Sequence, residues 1–253
     1  EEGALASVLG EQSVGAIIHL AALVSVTAAE ADPVLNFRLN VAATQVVAEA
    51  ARLYAVPRVV FASSAAVYGD PAVLPIKESI KVEPISQYGC AKRMSEQLLF
   101  QYATSYGLQA VCLRYFNVFG SRQDPNSPYS GVISIFTERF GQGQGVTVFG
   151  DGHQTRDFVH VSDVACANAL MATSNVTTGA YNVCTGKACS LLDLIESLRQ
   201  CYPTEVDTQF EAPRSGDIVH SIGCPDKISE AAGFTAAVSF REGIRKLASE
   251  KGA

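Results

Sequence analysis

Residues 58–116 read RVVFASSAAVYGDPAVLPIKESIKVEPISQYGCAKRMSEQLLFQYATSYGLQAVCLRYF, and their order decides the fold. Arg58 to Ser63 is a short apolar run with the length and residue types of a strand buried on both faces. A Pro-rich loop, Ser64 to Pro84, follows it. Ser86 then opens a helix running to about Tyr106, and Gln109 to Phe116 is another buried strand. Two strands joined through a helix predict a parallel pair with a right-handed crossover.

The alternation extends in both directions. Upstream, a helix tail (Glu2 to Gly10) precedes a strand at Ala16 to Leu20, and Asp32-Pro33 opens one long helix through about Tyr54, with proline suited to the first turn. Downstream the pattern loosens into a polar loop to Ser130, a helix near Val132 to Phe140 and a strand at Val146 to Phe149. A helix at Ser162 to Thr173 and a strand at Ala180 to Cys184 resume it. Late helices begin at Ser190 and at Ser239, the latter with Glu242 three residues on as a capping box. The expected class is α/β: a doubly wound parallel sheet with a smaller C-terminal lobe woven around its carboxyl edge. Gly141 to Gly145 is glycine-rich but follows a helix and precedes a strand, the wrong order for a dinucleotide loop; it reads as a turn.

Composition narrows the function. The 253 residues are 48% hydrophobic and 17% charged, enough to bury a full core. Net charge is −6 with no basic run, which argues against nucleic acid. The longest apolar stretch, Val14 to Val26, is interrupted by His19 and too short to span a bilayer, and nothing reads as a signal peptide. The seven cysteines contain no C-x-x-C pair and sit in apolar segments, as structural thiols of a cytoplasmic protein do. The four histidines are scattered, without metal-ligand spacing.

Tyr88 and Lys92 stand one helical turn apart, so phenol and ammonium share a face. Such a pair alone is common by chance, and Ser63 and Ser64 could merely end a strand. Their joint position at the carboxyl ends of parallel strands is where open α/β sheets gather active sites. A phenol titrates near ~10 and is a poor base at neutral pH, so it needs a cation to favour phenolate and a serine to share the proton. That chemistry suits oxidation of a sugar hydroxyl.

With these residues in view, the chain resembles an extended short-chain dehydrogenase/reductase, specifically a nucleotide-sugar epimerase of the UDP-glucose 4-epimerase type. The motifs carrying the resemblance run almost end to end: HLAALVSV (19–26), DPVLNFRLNV (32–41), FASSAAVYGD (61–70), YGCAK (88–92), LRYFNVFG (113–120), RQDPNSPYSGVI (122–133), VFGDGHQTRDFVHVSDV (148–164) and PRSGD (213–217). It implies a Rossmann-like NAD-binding lobe of residues 1–120, to which 155–184 return, and a nucleotide-sugar lobe of residues 121–154 and 185–253. It also implies Ser64, Tyr88 and Lys92 as catalytic residues. Leu20, Ala21, Ala22, Asn40, Ser63, Tyr115 and Phe116, with Tyr88 and Lys92, would line the cofactor. Asn117, Gln123, Gly131, Val132, Thr147, Phe149, Arg156, Arg214, Asp217 and Ser221, with Ser64, would bind the UDP-sugar. From chemistry alone, most arginines serve surface solubility, but the Gly and Asp residues flanking Arg156 and Arg214 favour anion-binding loop sites, while Phe149 could equally be core. The family also implies a homodimer formed by the helices of Pro33 to Tyr54 and Ser86 to Tyr106.

Two alanines bear on the reaction. Relatives that eliminate water or carbon dioxide place acids after the catalytic serine, where this chain has Ala65 and Ala66. Epimerisation needs no such acid, so a dehydratase or decarboxylase is the alternative, with a catalytically inactive binding relative as another. Ser221 matches a position that walls the sugar's 2-substituent; a serine leaves room for an acetamido group, so UDP-GlcNAc and UDP-GalNAc are expected to be tolerated. The resemblance breaks in one place: the chain has no G-x-x-G-x-x-G loop and no acidic ribose ligand after it. As Glu1 is not Met, the expectation is a chain lacking the first βαβ portion, with one sheet edge exposed.

Overall fold

The computed structural model describes residues 2–123, 131–213 and 218–250. In chain order these begin with α1 (Glu2–Glu11), β1 (Ile17–His19), α2 (Val26–Ala31), α3 (Pro33–Asn36), a π turn (Phe37–Ala42) and α4 (Ala43–Leu53). Next come β2 (Arg58–Ser64), a 3-10 turn (Ala65–Tyr68), α5 (Gln87–Tyr106), β3 (Gln109–Tyr115) and β4 (Asn117–Phe119). Then follow α6 (Val132–Gly141), β5 (Val146–Phe149), β6 (Thr155–Arg156), β7 (Phe158–His160), α7 (Val161–Thr173), β8 (Gly179–Val183) and β9 (Cys189–Ser190). The remainder is α8 (Leu191–Arg199), β10 (Thr208–Glu211), β11 (His220–Ser221), α9 (Asp226–Ala232) and α10 (Phe240–Glu250).

Four strands make the main sheet in the order β1-β2-β3-β8, every pair parallel, so the α/β expectation holds. The period of two along each strand sorts the core. Val59 and Phe61 of β2, with Ala110 and Cys112 of β3, pack against α1, α4 and α5; Val60, Val111 and Leu113 pack on the other face against α7 and α9. Each such side chain contributes roughly 1.5–3 kcal/mol by burial. A separate apolar cluster joins α6, α8, α10, β5 and β7. β1 is an edge of the sheet, with Ile18 and Leu20 exposed.

Local chemistry explains the boundaries. Ser86 caps α5 by accepting from Gly89 N at 3.0 Å, and Gly107, left-handed at φ 73°, ends it before β3. Ser190 and Asp193 form a reciprocal capping box on α8. The box expected at α10 is half made: Ser239 accepts from Glu242 N at 3.3 Å, while the Glu242 carboxylate pairs with Lys246 at 2.9 Å. The single helix expected over Asp32 to Tyr54 is instead α3, a π turn and α4. Asp32 does cap its start with Pro33 in the first turn, as read.

Candidate active site

The carboxyl ends of β2 and β3 lie side by side, with Ser64 in register with Tyr115 and Ser63 with Arg114. After Ser64 the chain drops into the 3-10 turn, whose start Ser64 caps by accepting from Ala66 N at 3.2 Å. The first turn of α5 docks on that turn so closely that any Cβ at Gly89 would lie 2.5 Å from the Ala66 carbonyl oxygen. This contact sets Tyr88 beside Ser64.

Tyr88 and Lys92 are both buried. The Lys92 ammonium donates to the Ala62 carbonyl at 2.8 Å, and its Nζ lies 4.8 Å from the Phe61 ring centre and 5.7 Å from that of Tyr88. Burial lowers its pKa to about 8. Burial also raises the Tyr88 phenol above its usual range, and a hydrogen bond from Ser64 only partly opposes the rise. The lowered phenol expected from sequence is therefore corrected for the protein by itself: desolvation outweighs the Ser64 hydrogen bond, and the phenol rests protonated.

Asn40 organises the segment after β1. Its side chain accepts from Leu23 N and donates to Leu23 O, both at 3.0 Å, and donates to Asn36 Oδ1 at 2.7 Å. Its own carbonyl accepts from Thr44 at 2.6 Å and from Ser95 at 3.2 Å. It occupies the π turn, a helical irregularity frequent at functional sites. Asn40 thus pins the backbone at Leu23, the residue that follows Leu20, Ala21 and Ala22. Ser63, buried within β2, directs its hydroxyl to Glu96 at 2.7 Å, so that side chain points away from any ligand role of its own. Tyr115 donates to Asn168 at 2.8 Å, and Phe116 is buried with Val67, Tyr68, Ile76 and Cys184.

The donor chemistry of these residues suits one end of NAD. Lys92 uses one of its three N–H donors on Ala62, and with the Tyr88 phenol it offers a buried donor set suited to a ribose diol. Leu20, an exposed residue immediately after β1, follows the carboxyl end of that strand beside β2. These groups fit the nicotinamide-ribose end. The 253 residues contain no glycine-rich loop leading from a strand into a helix to receive the pyrophosphate, so they account for that one end alone.

Beyond Asn117 opens a cavity of about 1060 Å³, at the upper end of small-molecule sites. Asn117, Gln123, Gly131, Val132, Phe149 and Arg156 line it, as the sequence reading grouped them. Arg156 is fixed in the wall by donating to Thr155 O at 2.9 Å and Val219 O at 3.2 Å. Thr147 shares the Phe149 face of β5, and Ser221 pairs in register with Arg156, but neither lines the cavity. Arg214 and Asp217 lie outside the described residues. The sequence reading missed Phe210, Glu211, His153 and His220, which also line it. Phe210 had a detectable signal, an aromatic residue in a short alternating run, TQFE, between prolines.

Asp157 ties the two regions together. Fully buried, its carboxylate accepts from Thr185 N at 2.8 Å, Thr185 Oγ1 at 2.7 Å, Gly186 N at 2.8 Å and Gly223 N at 3.3 Å. Its backbone carbonyl receives Asn117 N at 3.0 Å, and its N–H donates to Ser221 O at 2.8 Å.

Among the described residues no cluster of three or more His, Cys, Asp and Glu could hold a metal, and no helix is long and apolar enough to cross a membrane. The seven cysteines are unbridged.

Residues 1–184 match the family model described as the NAD dependent epimerase/dehydratase family. The UDP-glucose 4-epimerase of Mycolicibacterium smegmatis is 36% identical over 245 residues, covering 96% of this chain and 77% of that protein. The Thermus thermophilus UDP-glucose 4-epimerase, solved in complex with NAD, superposes with a TM-score of 0.90 at 36% identity over all of this chain and 83% of that one. The UDP-N-acetylglucosamine 4-epimerase of Methanobrevibacter ruminantium, solved with UDP-N-acetylmuramic acid, gives 0.92 at 36% identity over 97% of this chain and 78% of that one.

Proposed function

Because the chain belongs to the NAD dependent epimerase/dehydratase family, we propose that it inverts carbon 4 of UDP-glucose and UDP-galactose and accepts UDP-GlcNAc and UDP-GalNAc as well. When bound, NAD supplies the acceptor that removes hydride from the sugar and returns it. The observation that carries the reading is Ser64 acting on the buried Tyr88 phenol beside Lys92, in a site followed by alanines at 65 and 66.

The residues then divide the work. Tyr88 Oη first gives up its own proton to solvent, an ionisation that the Lys92 ammonium favours; as phenolate it takes the proton of the sugar 4-hydroxyl and gives it back after the 4-keto sugar has turned. Ser64 Oγ bridges the two oxygens and shortens the transfer. Burial holds the phenol protonated, so the Lys92 ammonium must offset that desolvation when the proton moves; protein and substrate charges gain strength in a site shielded from water. Lys92 would also hold the nicotinamide ribose, with the backbone of Leu20 to Ala22 beside it. Ala65 and Ala66 offer no proton to a leaving group, which disfavours elimination.

We assign the cofactor lobe to residues 1–120 with 155–184, and the nucleotide-sugar lobe to 121–154 and 185–253. Asn117 and Arg156 would meet the diphosphate, since a guanidinium offers a planar fork of donors to phosphate oxygens. Phe149 would stack on the base. Arg214, Asp217 and Ser221 complete the assigned substrate contacts. The enzyme is proposed to work as a cytoplasmic homodimer.

Product analysis by NMR after separate incubation with UDP-glucose and UDP-GlcNAc tests this. Galacto products from both are expected; a 4-keto-6-deoxy product would mark a dehydratase instead, and a pentose formed in a third incubation with UDP-glucuronate would mark a decarboxylase. Tyr88→Phe should cut kcat by about 10²–10⁴, the usual span for a general acid–base group.

A further inference from the structure

We propose that Glu96 and Arg114 are the positioning centre of this site, a buried pair that holds the elements bearing Ser64, Tyr88 and Lys92 in one arrangement. The inference rests on the epimerase reading above.

Glu96 lies on α5, four residues after Lys92 and eight after Tyr88, and is fully buried. Its carboxylate accepts four hydrogen bonds: Ser63 Oγ at 2.7 Å, Arg114 Nε at 2.8 Å, Arg114 Nη2 at 2.7 Å and Arg93 Nη1 at 3.2 Å. Arg114 spends Nη1 on the Tyr68 hydroxyl at 3.0 Å, and Tyr68 donates onward to Asn182 Oδ1 at 2.7 Å. Asn182 in turn donates through Nδ2 to Ile76 O at 2.9 Å and through its backbone N–H to Glu78 at 2.7 Å.

The placement of these residues gives the network its function. Ser63 immediately precedes Ser64 on β2, and Arg114 immediately precedes Tyr115 on β3. Tyr68 closes the 3-10 turn that Ser64 opens, and Asn182 brings in β8. Every element that contributes a proposed catalytic group therefore has an adjacent residue in the cluster. Lys92 adds a parallel tie from α5 to β2 through Ala62 O.

Stability alone gives no reason for such a pair. Removing two charges from water costs several kcal/mol each, and a buried ion pair replaced by apolar residues of similar volume is often neutral or better. An apolar pair cannot fix direction, whereas the two-bond fork of Arg114 on Glu96 sets the helix against the strands in both position and rotation. Tenths of an ångström matter here, because the phenol, the serine hydroxyl and the sugar oxygen must share one proton.

The test uses the full chain with Glu96→Leu combined with Arg114→Met, and separately Ser63→Ala and Arg114→Lys. Thermal unfolding, kcat and KM for the UDP-sugar, and the ¹³Cζ resonance of Tyr88, assigned by its loss in Tyr88→Phe, are read for each. The apolar double variant is expected to stay folded and keep KM within about threefold, while kcat falls at least about tenfold, as misplacement of about 1 Å can cost 10²-fold. Its Tyr88 resonance and titration should move. Arg114→Lys, which keeps the charge but loses the fork, should fall between it and the unaltered protein. A folded double variant with kcat within twofold and an unmoved Tyr88 resonance would overturn the proposal. If the double variant does not fold, Ser63→Ala decides: a loss of several-fold in kcat supports the proposal, and unchanged kcat overturns it. If the unaltered protein does not epimerise, the reading of function fails, and the Tyr88 resonance alone then decides whether Glu96 and Arg114 position it.

Discussion

At the residue scale, Gly89 matters as much as its catalytic neighbour. A Cβ there would meet the Ala66 carbonyl oxygen at 2.5 Å and Pro84 Cβ at 3.1 Å. Both obstacles are held by backbone, so the first turn of α5 must move away from the turn carrying Ser64. Gly89→Ala should destabilise the fold by about 1–3 kcal/mol, the usual cost of overpacking. It should also lower kcat more than it raises KM, which steady-state kinetics beside a denaturant titration would separate. His19 yields a pH prediction. It is buried, with Nε2 3.2 Å from Thr44 Oγ1. As the Thr44 hydroxyl donates to Asn40 O, its oxygen is left to accept the His19 Nε2 proton. Burial first, then the Lys92 charge, lowers the His19 pKa from 6.5 to about 4. The unfolded chain therefore binds a proton below pH 6.5 that the folded chain refuses until near 4, so stability falls as pH falls through that window. The loss is on the order of 3 kcal/mol. Urea unfolding of His19→Gln between about pH 7 and 4.5 should show a shallower decline than the unaltered protein; parallel curves would remove His19 as the source.

At the element scale, the π turn and the Asn40 clamp show where sequence legibility ends. Asn40→Ala would leave the Leu23 N–H and C=O without their partners at 3.0 Å. The expected cost is about 1–2 kcal/mol for two partly buried backbone groups, with faster amide exchange at Leu23 and weaker NAD binding by calorimetry. Unchanged exchange at Leu23 would contradict the clamp. The strands at Arg58 and Gln109 and the helix between them were legible because their signals are local: apolar runs, a serine cap, a glycine stop. Tyr88 and Lys92 were legible for the same reason, one turn apart on one helix. The π turn was not, since insertion of one residue leaves the apolar period almost intact. Two- and three-residue strands such as β6, β9 and β11 have no period of their own and exist through distant partners. Glu96 was hidden differently. A glutamate on a charged helix reads as solvated, and only the fold brings Arg114, eighteen residues on, to bury it.

At the scale of the whole molecule, the question is what covers the outer helices. Val34, Phe37 and Leu53 on the α3 to α4 run, and Met94 and Tyr106 on α5, are all exposed. Large apolar side chains gathered on two neighbouring helices mark an association surface more often than a solvated one. These are the helices assigned to the two-fold contact of the proposed homodimer. Sedimentation velocity should therefore give twice the 26.8 kDa chain mass. Phe37→Glu combined with Met94→Glu adds four charges to a dimer interface at exposed positions, where a folded monomer tolerates them within about 0.5 kcal/mol each. The double variant should sediment as a monomer with near-normal thermal stability. A dimer that survives both glutamates would move the contact elsewhere. An unaltered protein that sediments as a monomer would leave these helices facing water, and the two-fold assignment would fall with it.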